Sequence, residues 1–370
     1  PPSRPPPVSI QGATVKILTV IGNRPQFIKA AAVSGPLRAR HEEFLVHTGQ
    51  HHDDSLSAVF FRELGLARPE RELGIAGGSN TSQLARMLTA LEPLIEQERP
   101  DAVLVYGDTN STLAGALAAA DVGVPVVHVE AGMRSFDRAM PEERNRVLTD
   151  HLSELLLCAS DTAAVNVLGE SIEGRVEVVG DVMVDLALRL QPAARADVGA
   201  LEAHGVRAGQ YLLLTAHRAG NVDPPERLRA LVELVRALPP PVVFPLHPRT
   251  RARLRDEELL EEMADIEGLR LCEPLGYGEL AALLCNARAV LTDSGGIQKE
   301  AYLAGVPCVT LRSTTEWVET VAAGWNTLVD LDSAAALAAL ERPPPAERAQ
   351  LYGDGHAAER CVQAIDTLAS

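Results

Sequence analysis

The sequence predicts an α/β protein made of two doubly wound, Rossmann-like domains in tandem. Three observations predict it. From Val15 onward, short β-branched runs alternate with helical stretches, the pattern of parallel βαβ units. The alternation occurs twice, with similar count and spacing. A chain of 370 residues also exceeds the usual size of one compact domain.

In the first set, strands are expected near Val15–Ile21, Phe44–Thr48, Ala102–Tyr106, Val124–Val129, Leu155–Ala159 and Val176–Val179, most of them ending in a polar or glycine-bearing turn. In the second they are expected near Tyr211–Thr215, Val242–Leu246, Leu269–Cys272, Ala289–Thr292 and Cys308–Leu311. Between the sets, Gln191 to Gln210 has few large apolar residues and no strand pattern, so the junction is placed just before it. The expected divisions are a tail over 1–14, an N-terminal domain over 15–187 and a C-terminal domain over 188–350. The linker-like Pro343–Pro345 leads to a last helix within 351–370, expected to pack back on the N-terminal domain. Open parallel sheets bind ligands outside the carboxyl ends of their strands, so two such domains are expected to line a cleft with those ends.

Composition narrows the function. With 46% hydrophobic and 23% charged residues the chain is ordinary globular protein. A formal net charge of −16 argues against a nucleic-acid partner, which needs a basic face, so any anionic ligand must be met by a few local cations. Cys158, Cys272, Cys285, Cys308 and Cys361 form no CxxC pair and read as reduced core thiols of a cytoplasmic protein. No apolar run approaches the roughly 18 residues that span a bilayer, so no membrane partner is expected. The first 14 residues lack the apolar core of a signal peptide and read as a tail.

The strongest local signal follows the strand at Ala289–Thr292. There Asp293-Ser294-Gly295-Gly296-Ile297-Gln298-Lys299-Glu300 reads as a small-residue turn opening a helix, whose free backbone N–H groups suit a phosphate. Glu300, one turn in, is placed to accept from a ribose diol. A plain tight βα turn would need the same glycines. At the end of the first strand, Gly22-Asn23-Arg24-Pro25 lacks the GxGxxG of a nicotinamide site. Arg24 and Lys29 there are either cationic clamps for a diphosphate or surface charges. Three acids stand at or beyond strand ends: Asp108, Glu130 and Glu142. A carboxylate so placed is partly desolvated and suited to acid–base work, although Asp108 in particular could be a helix cap. The histidines that recur at strand ends (His47, His51, His52, His128, His217, His247) lack metal-ligand spacing, so no metal is expected. His217-Arg218 is the better candidate for a ligand contact.

In order along the chain, Gly22-Asn23-Arg24-Pro25, Thr48-Gly49-Gln50-His51, Gly107-Asp108-Thr109, His128 through Arg134, Pro141 through Arg146, Thr215-Ala216-His217-Arg218 and Asp293 through Glu300 resemble the non-hydrolysing UDP-N-acetylglucosamine 2-epimerases. The likeness runs from about Val15 to Leu328. It implies the two-Rossmann architecture of GT-B glycosyltransferases and reversible inversion at C2, through 2-acetamidoglucal and UDP, with no cofactor, in a homodimer. It carries the catalytic roles to Asp108, Glu130, Glu142 and His217. Substrate and UDP contacts fall to Arg24, Lys29, Arg134, His217, Arg218, Tyr277, Ser294, Gly295, Gly296, Glu300 and Arg312. Alternatives of the same fold are a UDP-2,3-diacetamido-sugar 2-epimerase, a hydrolysing epimerase that would release UDP, and a glycosyltransferase. A catalytically dead nucleotide-sugar sensor would have no use for three acids together.

Two departures bear on regulation. Where many bacterial members carry glutamine and glutamate contacts for a second, activating UDP-N-acetylglucosamine, this chain has Asp53 and Gly220. Weak or absent activation is therefore expected. Pure UDP-N-acetylmannosamine should be converted without a lag; a reaction that stalls until UDP-N-acetylglucosamine is added would refute this.

Overall fold

The computed structural model describes residues 14–50 and 65–369. The segment read as a tail lies outside them up to residue 13, as do His51, His52 and Asp53. The chain forms two compact units.

The first unit takes the described residues up to Val182 and those from Gly355 onward. Its strands are β1 (Lys16–Ile21), β2 (Glu42–His47), β3 (Arg71–Glu72), β4 (Ala102–Tyr106), β5 (Val126–Ala131), β6 (Leu155–Cys158) and β7 (Arg175–Val178). They form one parallel sheet in the order β3-β2-β1-β4-β5-β6-β7. All five residues of the central strand β4 are buried, as expected where helices cover both faces. Leu18, Val20, Val103 and Val105 pack in one core cluster with Met87 and Leu91 of the helix Asn80–Glu98. Each such side chain contributes about 1.5–3 kcal/mol by leaving water. The helix Asn110–Asp121 starts with a reciprocal cap between Thr109 and Thr112. Gly115 lets that helix lie against the sheet, since a Cβ there would meet Val105 Cγ1 at 2.9 Å.

The helix Ala357–Asp366 belongs to this unit. It buries Ala358, Cys361, Val362 and Ile365 and packs on the helix Arg24–Arg38. Asp366 pairs with Arg40 and, at 2.9 Å, with His41 Nε2, while Arg175 donates to the carbonyl of Ala364 at 3.0 Å.

The second unit covers 183–354. Here β8 (Leu212–Thr215), β9 (Val242–Pro245), β10 (Leu269–Cys272), β11 (Ala289–Thr292), β12 (Cys308–Thr310) and β13 (Asn326–Leu328) form a parallel sheet ordered β10-β9-β8-β11-β12-β13. Core clusters on its two faces include Leu212, Leu214 and Leu291 on one and Leu213, Val243 and Val290 on the other. The fold class is thus the expected one, two doubly wound α/β units.

Several boundaries differ from the sequence reading. The chain passes between units at 182/183 and again at 354/355. The stretch after Gln191 holds no strand, as expected, and is largely helical, in Val182–Ala196 and Val198–Ala203. Two edge strands, β3 and β13, were not expected, because two and three residues with no apolar run carry no period to read. Burial pushes the Cys158 and Cys308 thiols up to about 12, so these thiols are inert. Among the described residues no helix is long and apolar enough to cross a membrane.

Each sheet has a topological switch point. In the first unit, successive connections run outward from β1 on one side and from β4 on the other; in the second, the pair is β8 and β11. The crevice beyond the carboxyl ends of such a pair is where open α/β sheets bind ligands.

Candidate active site

In the first unit, β1 gives way to Gly22 and Asn23. Asn23 caps the helix Arg24–Arg38 by accepting from Gln26 N at 3.3 Å. Gln26 then ties the switch point together: its Oε1 accepts from Gly22 N at 2.7 Å and its Nε2 donates to Tyr106 O at the end of β4 at 3.0 Å. Gly22 must be glycine here, because a Cβ would fall 2.0 Å from Ser111 Oγ and 2.2 Å from Thr48 Oγ1. The half-buried Arg24 therefore starts its helix at the mouth of this crevice.

One turn further, the buried Lys29 forms an ion pair with Glu130 Oε2. Glu130 stands where the β5–β6 register shifts between Val129 and Ala131, and its backbone takes φ 68°. A non-glycine residue in that region is strained by about 1–2 kcal/mol, a cost that concentrates at functional sites. The bulge is what presents the carboxylate at the strand end. Gly107 (φ 64°) lies against the pair: a Cβ there would be 3.0 Å from Lys29 Nζ and 3.3 Å from Glu130 Oε2.

Asp108 follows directly and is held differently. Its carboxylate pairs with Arg146, whose other amino group donates to Glu143 Oε2 at 3.0 Å. Its carbonyl accepts from Asn145 Nδ2 at 3.0 Å. It is not the helix cap, a role taken by Thr109. Within the helix Pro141–Leu152, Glu143 is the buried acid and accepts from Ser135 N, Ser135 Oγ and Phe136 N. Glu142 beside it is half-buried and makes no hydrogen bond or ion pair among the described residues, so its carboxylate remains available.

Arg134 departs from expectation. Its side chain is 1% exposed and its guanidinium is occupied by Met133 O, Asp150 Oδ2 and both oxygens of Glu170, each at 2.7 Å. Where the sequence suggested a ligand contact, the guanidinium is enclosed by acceptors of the protein itself. Asp150 in turn reaches His128 Nδ1 at 2.7 Å, and His128 Nε2 lies 2.7 Å from Gly107 O. Burial alone would raise the Asp150 pKa, but His128 and Arg134 outweigh it and hold the carboxyl below its ordinary value. This buried chain fixes Gly107, and through it the floor under Lys29 and Glu130.

The second unit builds its switch point around Asp293, fully buried after β11. Its carboxylate accepts from His217 N at 3.0 Å, Arg218 N at 2.9 Å and Asn221 Nδ2 at 3.2 Å, shaping the loop after β8. The His217 ring stacks on His247 with centroids 5.0 Å apart. Ser294 then opens the helix Gly295–Ala304 without a side-chain cap, and Gly296 is exposed, with only Ser294 Oγ, 4.0 Å away, near the place of a Cβ. The first N–H groups of this helix lie at the positive end of its dipole, a setting that suits an anion. Glu316 lies against Gly295 there and pairs through its two oxygens with Arg218 and Arg312. Glu300 and Tyr277 line one small pocket of this unit, with Cys285 and Leu284.

The family profile described as UDP-N-acetylglucosamine 2-epimerase matches residues 37–366. The chain belongs to this family. It is 44% identical to the UDP-N-acetylglucosamine 2-epimerase homolog of Methanococcus maripaludis, over 96% of this chain and 100% of that one. It is likewise 44% identical to the UDP-2,3-diacetamido-2,3-dideoxy-D-glucuronate 2-epimerase of Pseudomonas aeruginosa, with the same coverage. The Methanocaldococcus jannaschii UDP-GlcNAc 2-epimerase, solved in complex with UDP-GlcNAc and UDP, superposes with a TM-score of 0.89 at 38% identity, covering 95% of this chain and 99% of that one. Members of the family are isomerases, and this chain is an epimerase of that class.

Sequence reasoning assigned no role to several residues that organise the site: Glu143 and Arg146, although they lie in the Pro141–Arg146 block, and Gln26, Asp150 and Glu316. Asp150 and Arg146 lie i, i+4 on the helix Pro141–Leu152 and share its buried face, a periodicity that a polar sequence hides.

Proposed function

We propose that the protein inverts C2 of UDP-N-acetylglucosamine, reversibly giving UDP-N-acetylmannosamine, by eliminating UDP and adding it back. The observation that carries this reading is the strained Glu130, presented on a bulge, paired with Lys29 and set beside Asp108 at one switch point. A carboxylate takes the C2 proton as the C1–O bond breaks, and the electron pair of that bond leaves on the diphosphate of UDP. The fragments are 2-acetamidoglucal and UDP. A second acid returns a proton to the opposite face of C2 while the diphosphate oxygen re-forms the bond to C1. Asp108, Glu130 and Glu142 supply the acid and base groups. Arg24, Lys29, His217, Arg218 and Arg312 offset the charge that grows on the departing diphosphate. The Ser294–Gly296 turn retains that diphosphate, and Glu300 accepts from the ribose diol.

The test is isotopic. In deuterated water, UDP-N-acetylglucosamine should acquire deuterium at C2 in both epimers, with no net release of UDP. Epimerisation without incorporation would exclude proton removal to a solvent-exchanging base, and steady UDP release would point to hydrolysis. The Pseudomonas relative favours a second reading, a UDP-2,3-diacetamido sugar as substrate. Assaying both sugars under identical conditions separates the two by kcat/KM.

A further inference from the structure

Beside the Ser294 turn, Glu316 sits among cations. Its Oε2 accepts from Arg312 at 2.9 Å and its Oε1 lies 3.8 Å from Arg218. The same Oε1 reaches the start of the helix Gly295–Ala304: a Cβ on Gly295 would fall 2.2 Å from it. The carboxylate side chain is only 13% exposed. Burial would favour its neutral form, but Arg312 and Arg218 prevail and hold the carboxyl below its ordinary value. A second feature points at the same spot. The indole Nε1 of Trp317 is buried with no hydrogen-bond acceptor among the described residues, 3.4 Å from that Cβ position. A buried indole N–H ordinarily has a partner.

We propose that Glu316 is an internal anion that stands in for the ligand's diphosphate: it engages Arg312 and Arg218 beside Gly295 while the site is empty, and is displaced when the diphosphate enters. The proposal rests on the reading of this turn as the UDP site. Without Glu316 the two guanidiniums and the helix N-terminus would lose the carboxylate that faces them, an arrangement that is costly. A diphosphate carries more charge than one carboxylate and offers oxygens that the Trp317 N–H can reach, so it wins the exchange. Because each binding event must first expel Glu316, affinity for UDP is lower than the same groups would give unopposed. Glu316 thus eases release of UDP-sugar at the end of each cycle.

Calorimetric titration of the full chain with UDP and with uridine tests this. The wild type should bind UDP, and Glu316→Gln should bind it about tenfold more tightly, equivalent to 1.4 kcal/mol. Uridine, which has no phosphate to compete, should bind both proteins equally. Unchanged or weaker UDP binding by Glu316→Gln, with the wild type still binding UDP, would overturn the proposal and leave the UDP site standing. A wild type that does not bind UDP would overturn both. If Glu316→Gln does not fold, Glu316→Asp is read in the same way, since its shorter side chain withdraws the charge from Gly295: tighter UDP binding supports displacement, equal or weaker binding overturns it.

Discussion

Glu130→Gln is expected to lower kcat for epimerisation by about a hundredfold or more, the usual scale for loss of a positioned acid or base. The substitution is chosen to isolate charge. Glutamine has nearly the same shape, and it is subject to the same backbone strain at φ 68°, so the bulge after Val129 should persist. What changes is the proton-accepting group and the partner of Lys29. UDP binding should survive, because the proposed turn at Ser294 to Gly296 is untouched and Lys29, released from Glu130, keeps its charge. The expected signature is therefore a fall in kcat with UDP affinity little altered and deuterium exchange at C2 reduced in parallel. Turnover within about threefold of wild type would remove Glu130 from the chemistry, since even modest acid–base roles exceed that. Asp108→Asn is the companion measurement, less clean because it also frees Arg146 from its ion pair.

Much of this site was legible in the sequence, and the reason is local. The turn at Asp293 to Glu300 and the Gly107-Asp108 corner each follow an apolar β-branched run, so their place at a strand end can be read from period alone. Central strands such as β4 and β11 were readable for the same reason: Ala102–Tyr106 and Ala289–Thr292 occur in the fold with the expected bounds. What could not be read is the partner of each charge. Arg134 looks like a ligand contact in sequence, and only the fold reveals that Asp150 and Glu170, 16 and 36 residues away, enclose its guanidinium. Glu142 and Glu143 are adjacent and chemically alike, yet helix geometry buries one beneath the Ser135 turn and leaves the other available. Pairings of that kind depend on tertiary packing, which one-dimensional periodicity does not encode. Edge strands escape for a different reason: β3 and β13 are too short to show a period, and the buried Asn326 of β13 is fixed by Thr310, Gln298 and Thr320, contacts that sequence spacing does not show.

Asp293→Asn should damage the second unit more than its near-isosteric character suggests. All the groups that reach the carboxylate are donors: His217 N, Arg218 N and Asn221 Nδ2. A carboxylate, with two acceptor oxygens, satisfies all three at once. All three reach Oδ2, and His217 N also reaches Oδ1 at 3.1 Å, so a carboxamide that keeps its oxygen at Oδ2 must turn its NH2 against the His217 N–H, and at a position with no solvent exposure water does not relieve the conflict. Leaving a buried donor unpaired costs about 1–3 kcal/mol, and opposing it with another donor adds to that. The loop after β8 should therefore shift, carrying with it the stacked His217 ring and the Arg218 guanidinium. Two readouts follow together: a melting temperature several degrees below wild type, and UDP affinity weakened by about tenfold, the scale of one lost charge-assisted contact. A variant that melts with the wild type and binds UDP as well would show that Asp293 does not hold this loop. A variant that melts early yet regains wild-type stability in excess UDP would instead show that the ligand's own charge can order His217 and Arg218, since binding stabilises the folded state by mass action.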